Sequence, residues 1–415
     1  MAGVTTKQQI ALLFLALGVG CSATCDPDVP GSCATDTADV SDLMQMKVKV
    51  SDLDMEKSGM VSDARRAKML AERTYYSSFV DMSQTRYMGS VPLYNTQDMP
   101  GGLSPSLLQL DTAHVVLASF LDVSDMDSFC VDLAASDNTC SCDSEEYGID
   151  EAEITCSESV LTAFIEAEEA ASKPVPLFVE PNVEQHAFPL PDMSAENHTA
   201  LIEEAVAGVT WGIDRIDGTT GTNGKYSAYA GSNEGAGAHV YVADTGITTT
   251  HVDFEGRAIP AAEFLGGKGA SGKKICSATD TNCAKDTHSH GTHCAGTIGS
   301  KTWGVAKKTK LYALKVLSPG GYMNDIIASV DWVVTSGQKP AIWSASLGGP
   351  GARPSYEQAF KKAALKNVVI SVAGGNSNSD ACKFSPAFAP TAITAGSTTS
   401  ADERSHFSNY GKCIA

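Results

Sequence analysis

The chain has 415 residues, of which 43% are hydrophobic and 19% are charged. This composition is typical of a globular protein with two or three domains, and it excludes a wholly disordered chain. The sequence has no fixed repeat and no long apolar run after its N-terminus, which excludes collagen-like, coiled-coil and multi-span membrane proteins.

The net charge of −19 is unevenly distributed. Residues 1–205 hold 10 lysines and arginines against 34 aspartates and glutamates, whereas residues 206–415 hold 20 against 15. Because opposite net charges favour association, we treat the two halves as separate domains that attract each other. No basic patch with interleaved aromatic residues occurs, so the sequence predicts no nucleic-acid partner.

The N-terminus has the pattern of a secretory signal peptide. Lys7 precedes an apolar run, Ile10–Gly20, and the small residue Ala23 suits a signal peptidase. The run is shorter than a membrane span requires, so we predict a cleaved signal over 1–23, with a buried first helix as the alternative. The protein is then secreted or held in the secretory pathway, without membrane attachment, where cysteines form disulfides.

The acidic half is predicted to contain a leader, a small domain and a linker. Residues 24–112 are polar and acidic, and we expect a partly disordered leader with one helix at Asp63–Thr74, then a loop rich in proline and glycine. Residues 113–188 predict a small α+β domain of strand–helix–strand form. Its elements are expected at His114–Phe120, Ser159–Ala171 and Pro176–Val183. Residues 189–207 have the composition of a linker, with a glycosylation sequon at Asn197.

Strands and helices alternate through residues 208–415, the predicted main domain. Apolar runs predict strands at His239–Val242, Leu311–Leu317, Ala341–Ser346 and Val368–Ala373. Helices are predicted at Gly291–Gly299, Asp325–Ser336 and Tyr356–Leu365. This order predicts an α/β fold with a mainly parallel sheet and helices on both faces. Functional groups in such folds gather at the carboxyl ends of the strands.

Three short segments carry residues suited to catalysis. Asp244 directly follows a buried strand, and the alternative role for a carboxylate at this position is to cap a helix or turn. His290 stands at a helix start among small residues that allow close backbone packing. Asn376 follows the strand ending at Ala373, with glycines at 374 and 375 before it.

These segments together resemble the subtilisin-like serine proteases (peptidase S8), most closely the proteinase K branch. The resemblance runs from about Trp211 to Ala415 and includes Trp211–Ile216, Ser346–Gly349 and Phe407–Gly411 in order. It implies the subtilisin-like three-layer fold. Residues 113–188 resemble the family's propeptide, a folding chaperone and inhibitor, and Phe178–Pro181 is similar to its final strand.

The resemblance also implies roles for single residues. Asp244 would orient the imidazole of His290, which would act as general base and then as general acid. Asn376 would donate a hydrogen bond to the oxyanion, and His293 would be structural. The segment Ser346, Leu347, Gly348 would pair with a peptide substrate as an added strand. Gly374 and Gly375 would leave an open primary pocket for apolar or aromatic side chains.

The twelve cysteines include one odd residue after Cys21 leaves with the signal. Cys294 lies one helical turn after His290, and in this branch that position can be a free thiol. The resemblance pairs Cys382 with Cys413, and we expect Cys276 and Cys283 to close a small loop. Cys140 and Cys142 form a pattern seen in zinc sites, but export favours disulfides there.

The family's nucleophile is missing from the sequence. The family places it in a Gly-Thr-Ser-x-Ala segment after the Phe407–Gly411 match, and no such segment occurs here. We therefore expect a C-terminally truncated chain with an incomplete sheet, inactive alone. The alternative is a non-catalytic, protease-like protein that acts as an inhibitor or binding module.

The sequence requires no cofactor for this chemistry. Calcium could be a structural ion held by the carbonyl groups of Pro390 and Ala392, but Ala415 stands where the branch has an aspartate ligand, which predicts weak binding. The histidines at 288, 290 and 293 also have the spacing of binuclear zinc hydrolases. Thr292 stands where those usually have aspartate, and only His406 follows, so this alternative is disfavoured.

The sequence as a whole predicts a secreted serine endopeptidase zymogen. Its expected partners are protein or peptide substrates and its own propeptide.

Overall fold

The structure is a computed structural model that describes residues 60–99, 113–144, 150–188, 210–218, 221–226, 233–267, 269 and 271–415. The predicted signal, most of the predicted leader and the predicted linker with Asn197 lie outside these ranges, as do Cys25 and Cys33. Within the described part, no helix is both long enough and apolar enough to cross a bilayer.

The acidic half folds around a six-stranded sheet with the order β1-β2-β6-β3-β5-β4. Its elements are α1 (Met60–Ser77), β1 (Arg86–Met88), β2 (Val91–Leu93), β3 (His114–Ser119), α2 (Val123–Ser136), β4 (Ser141–Asp143), β5 (Glu151–Cys156), α3 (Glu158–Ala170) and β6 (Phe178–Pro181). Apolar residues of the strands and of α2 and α3 share one core, which includes Val116, Phe129, Ile154 and Ile165.

The sequence analysis did not predict five elements of this domain, namely β1, β2, α2, β4 and β5. The helix expected at Asp63–Thr74 lies within α1, but β1 and β2 stand where a loop was expected. The helix α2 was missed, although Asp122 caps it by accepting the Asp125 amide hydrogen bond. Disulfides join Cys130 to Cys142 and Cys140 to Cys156, so the two cysteines around Ser141 are used for cross-links.

The second half is a three-layer α/β domain built on a seven-stranded sheet, with the order β10-β9-β11-β8-β13-β15-β17. The sheet is parallel except for the edge strand β10, which pairs antiparallel with β9. Its strands are β8 (His239–Asp244), β9 (Ala258–Glu263), β10 (Lys274–Ile275), β11 (Lys310–Lys315), β13 (Ala341–Ala345), β15 (Val368–Ala373) and β17 (Ile393–Ala395). The mainly parallel α/β fold inferred from the sequence is confirmed.

Alternate residues of the central strand β8 enter two separate cores. Tyr241 and Ala243 pack with helices α6 (Met323–Ser336) and α7 (Pro354–Leu365) on one face. Val240 and Val242 pack on the other face with α5 (His290–Gly299). Because side chains alternate along a strand, a strand such as β8, whose residues 240–243 are all buried and mainly apolar, requires helices on both sides. The short helix α4 (Trp211–Arg215) begins the described part of this half.

A separate set of short strands connects the two halves. The strand β7 (Glu184–Ala187) follows β6 and lies between β12 (Gly320–Tyr322) and β14 (Leu347–Pro350), antiparallel to both. On its other side, β14 pairs with β16 (Phe384–Ser385). The end of the acidic domain therefore completes a sheet of the second domain.

Candidate active site

Asp244 and His290 form a buried, directly hydrogen-bonded pair. The Nδ1 atom of His290 lies 2.7 Å from Oδ1 and 2.9 Å from Oδ2 of Asp244. The side chain of His290 is 2% exposed and that of Asp244 is 0% exposed. Burial alone would disfavour the imidazolium, but the interactions with Asp244 and with the Cys294 sulfur outweigh it and raise the pKa of His290. The pair can therefore hold the imidazole in one orientation and stabilise its charged form.

The backbone around this pair leaves no room for larger residues. Gly246 has a φ of +102°, and a Cβ atom there would lie 2.4 Å from the Ala284 carbonyl oxygen. A Cβ atom on Gly291 would lie 2.2 Å from the Gly246 carbonyl oxygen and 3.0 Å from Cβ of Asp244. The two glycines therefore let α5 approach the end of β8 closely enough for His290 to reach Asp244.

Asp286, which the sequence analysis missed, organises the start of α5. Its carboxylate accepts hydrogen bonds from the amides of His288, Ser289 and Thr292 and from the hydroxyls of Thr292 and Thr245. Burial by itself would raise the pKa of this carboxyl, but these hydrogen bonds outweigh burial, so the net effect is a lowered pKa. The available signal was an acidic residue shortly before a helix, which is typical of a cap.

Cys294 lies beside His290, with its Sγ atom 3.9 Å from Nδ1, and it is the free cysteine of the described residues. Burial raises the pKa of this thiol. Disulfides join Cys276 to Cys283 and Cys382 to Cys413, the pairs named from the sequence.

Ligand-type atoms of Asp244, His290 and Cys294 lie within 4.8 Å of one another, the one such group found in the described residues. A soft cation is the type of ion that a thiol and an imidazole prefer. The histidines at 288, 290 and 293 do not form a cluster of this kind, and His288 and His293 are exposed. The described residues therefore do not assemble the binuclear zinc site.

The predicted substrate strand is already paired with β7. Leu347 lies opposite Ala187, Gly348 lies opposite His186, and the amide of Phe188 donates to the Ser346 carbonyl oxygen at 3.2 Å. Within this strand, Gln185 is 1% exposed, whereas Glu184 and His186 point to solvent. The segment Ser346–Gly348 thus contacts an extended peptide through its backbone.

The three glycines predicted to border the substrate have different surroundings. A Cβ atom on Gly348 would lie 2.8 Å from Cζ of Phe188, and one on Gly375 would lie 3.4 Å from the same atom. A Cβ atom on Gly374 would instead lie 2.5 Å from Cδ1 of Ile414. The missing side chain of Gly374 therefore makes room for Ile414, whereas Gly348 and Gly375 lie against Phe188.

Asn376 follows β15 on a loop held by another asparagine. Asn409 is buried, accepts the amides of Ser377 and Ser379 at 3.0 Å, and donates to the Gly374 carbonyl oxygen at 2.9 Å. Because β8, β13 and β15 are adjacent and parallel, Asp244, Ser346 and Asn376 lie at the same edge of the sheet. This is the clustering that the strand order predicted.

Two serines near the site have other partners. Ser385 donates its hydroxyl to the Gly351 carbonyl oxygen and accepts the Arg353 amide, both at 2.8 Å. The Ser346 side chain interacts with the Cys294 thiol. Neither arrangement places a serine hydroxyl as partner of His290.

The loop considered for calcium offers a poor set of ligands. Beside Pro390 and Ala392, the residue Thr391 donates its amide and hydroxyl to Glu357, whose carboxylate also accepts from Tyr75. No cluster of acidic ligands was found there among the described residues. Calcium prefers six to eight oxygen ligands that include carboxylates, so two carbonyl groups do not fit this ion, and we derive no step through it.

The second domain is similar in sequence to known proteins. The Subtilase family profile (Peptidase S8) matches residues 235–415. The chain is 44% identical over 208 residues to the extracellular serine proteinase of Thermus sp. strain Rt41A, covering 49% of this chain and 47% of that protein. It is 45% identical over 214 residues to the alkaline serine protease ver112 of Corniculantispora psalliotae, covering 50% and 51%.

A solved structure of a cold-adapted subtilisin-like serine proteinase is 37% identical and covers 50% of this chain and 71% of that one, with a TM-score of 0.44. The chain spans about half the length of the curated relatives it matches. Residues 235–415, which include Asp244 and His290, therefore form a subtilase-type (Peptidase S8) domain.

Proposed function

We propose that the protein is a secreted serine endopeptidase zymogen in which Asp244 and His290 are two members of the catalytic triad. The observation that carries the proposal is the buried hydrogen bond between His290 Nδ1 and Asp244, next to a cleft that pairs with an extended peptide. The nucleophilic serine is not at the family's position in residues 1–415. The proposal therefore concerns the protein to which these residues contribute Asp244 and His290.

In the proposed reaction, neutral His290 takes the proton of the serine hydroxyl as the oxygen attacks the substrate carbonyl. Asp244 keeps Nδ1 protonated, so that Nε2 is the basic atom, and it stabilises the imidazolium that forms. The imidazolium then gives its proton to the leaving nitrogen. Asn376, at the same edge of the sheet, would donate to the oxyanion, a contribution of about 3–4 kcal/mol at such sites.

The proposed substrates are proteins or peptides that bind as an added strand. Backbone pairing with Ser346–Gly348 does not depend on which side chains the substrate carries, and this favours broad selectivity along the strand. The space between Gly348 and Gly375 admits an aromatic or large apolar side chain, as the ring of Phe188 illustrates.

The acidic domain is proposed to act as an intramolecular inhibitor. Its strand β7 occupies the position between β12 and β14 that a substrate needs. Secretion is proposed from the predicted signal at 1–23, from the disulfides of the described residues and from a relative that is named extracellular. The separate inhibitor or binding-module alternative lacks an observation of its own.

The test is to express the complete coding sequence and to measure hydrolysis of a chromogenic peptide with phenylalanine before the scissile amide. We expect His290→Ala to lower kcat by several orders of magnitude, and a serine-directed phosphonylating reagent to abolish activity. His288→Ala, at an exposed histidine of the same loop, is the matched control and should retain activity. Equal activity of His290→Ala and wild type would refute the proposal.

A further inference from the structure

The segment ending at Phe188 lies in the cleft in an ordered register. His186 pairs with Gly320 on one side and Gly348 on the other, and Phe188 donates its amide to the Ser346 carbonyl oxygen. The backbone of the acidic domain is thus paired with both walls of the cleft at His186, and with the Ser346–Gly348 wall as far as Phe188. An extended peptide held in this way has the orientation of a bound substrate.

The side chain of Phe188 lies against the two glycines that border the predicted pocket. Its Cζ atom is 2.8 Å from the position of a Cβ atom on Gly348 and 3.4 Å from that on Gly375. Ser346, which binds the Phe188 amide, also contacts the Cys294 thiol, and this thiol lies 3.9 Å from His290 Nδ1. The carbonyl of Phe188 is therefore the one that this register brings to the catalytic side of the cleft.

The residue after Phe188 in the sequence is Pro189. Cleavage at this position would form an ester between the serine oxygen and the Phe188 carbonyl carbon. It would break the bond from that carbon to the Pro189 nitrogen, which would take its proton from His290. A proline nitrogen carries a ring carbon where other residues have hydrogen, and the ring crowds the approach of the acid. Proline also restricts the residue before it to extended backbone, which suits a strand like β7.

We propose that Pro189 makes the segment ending at Phe188 a substrate-like inhibitor that the peptidase binds in register but does not cleave at the presented bond. This inference rests on the proposed function of Asp244 and His290. It follows that release of the acidic domain requires cleavage at a different bond, by this protein or by another peptidase. The segment bound at the site is therefore not removed by cleavage at the bond that it presents.

The test uses the complete coding sequence as wild type, Pro189→Ala and Pro191→Ala, with fragments identified by mass spectrometry over time. We expect Pro189→Ala to release a fragment ending at Phe188 at least tenfold faster than wild type. Pro191→Ala, which replaces a nearby proline outside the presented bond, should behave as wild type. Cleavage after Phe188 in wild type at the rate of the Pro189→Ala variant would overturn the inference.

A second measurement separates this inference from the proposed function. Nine-residue peptides with the sequence of Val183–Pro191, carrying either proline or alanine at 189, are incubated with a purified subtilase. We expect the alanine peptide to be cleaved after phenylalanine and the proline peptide to inhibit competitively while remaining intact. Equal cleavage of the two peptides contradicts the inference even if the expressed protein is inactive. An inactive protein combined with the expected peptide result contradicts only the proposed function.

Discussion

Buried carboxylates occur in two regions of the molecule, and their surroundings differ. In the Asp244–His290 pair, called the dyad below, the Asp244 carboxylate accepts a hydrogen bond from the His290 imidazole. This contact raises the pKa of His290. At the contact between the domains, Glu180 accepts from the amide of Ser355 and from the side chain of Asn95, which are neutral groups. Burial there raises the pKa of Glu180. A buried carboxylate thus stabilises the charge of its partner in one place, whereas in the other its own pKa is raised by burial against the opposing charge of Arg353.

Two further carboxylates extend the contact region. Burial raises the pKa of Glu151 to about 8 and that of Glu153 to about 7. Glu153 accepts a hydrogen bond from Asn324 at the start of α6, and Glu180 contacts the start of α7. The acidic domain therefore directs carboxyl groups at the N-termini of two helices of the second domain, where the helix dipole favours them. The comparison teaches that the hydrogen-bond partner, and not burial alone, decides how a buried carboxylate acts on its surroundings.

The largest expected effect comes from removing the charge at the dyad. Asp244→Asn should lower kcat/KM by about 10⁴-fold, because the amide no longer stabilises the imidazolium or fixes its tautomer. Since only neutral His290 is a base and its pKa is raised, wild-type kcat/KM should increase with pH above 6.5. Steady-state kinetics of the wild type and of Asp244→Asn over a range of pH measure both the loss of kcat/KM and its pH dependence. A fall in wild-type kcat/KM over that range would contradict the assignment.

The next effect concerns the backbone that brings the pair together. Gly291→Ala should lower the free energy of unfolding by about 3 kcal/mol, because its Cβ atom would overlap the Gly246 carbonyl oxygen. Gly296→Ala is the matched control on the same helix, since no atom lies within 4 Å of its Cβ position. Urea unfolding should show the control unchanged or slightly stabilised. Equal losses for the two variants would show that the close approach is not required.

The pH dependence of the domain contact sharpens the comparison. Glu151 and Glu153 have raised pKa values in the folded protein, so their stabilising contribution is complete below about 4.3, the ordinary value for glutamate. It is lost as the pH rises through about 7 and 8. The urea midpoint should therefore fall from pH 5 to pH 9, and Glu151→Gln should flatten this slope. Glu166→Gln, at an exposed position of α3, should leave the slope unchanged.

The smallest expected effect comes from a single hydrogen bond between α1 and the second domain. The Tyr75 hydroxyl donates to Glu357 Oε1 at 2.8 Å. Tyr75→Phe should lower the free energy of unfolding by about 1 kcal/mol, because the ring stays and only the hydrogen bond is lost. Chemical denaturation measures this, with Tyr87→Phe, at an exposed tyrosine of β1, as control. A larger loss in the control would refute this role of α1.

Much of the second domain could be predicted because local pattern and global fold agree there. The strand Val368–Ala373 has the predicted bounds. Asp244 and His290 were singled out at a strand end and a helix start, and the resemblance to the subtilisin-like proteases implied their roles. The multiple hydrogen bonds of Asp286 could not be predicted, because they depend on the folded loop 286–292. Nor could the position of Ile414 against Gly374, since it joins segments 40 residues apart.

The acidic domain was harder to predict because its short strands pair with segments that are distant in the sequence. The strands β1 and β2 are three residues long each. The strand β2 joins the sheet by pairing with β6 at Leu93 and Val179, which are far apart in the sequence. Strand propensity is weak over such lengths, and tertiary contacts decide. The pairing of β7 with the second domain has no local signal at all, because its residues are polar or small.

The most direct test of the central claim is the titration of His290 by NMR in the 415-residue chain, with ¹⁵N-labelled histidine. This measurement needs no nucleophile. We predict that His290 keeps both ring protons above pH 6.5 and that Asp244→Asn abolishes this upward shift. A His290 that titrates at or below 6.5 in the wild-type chain would contradict the account of the dyad.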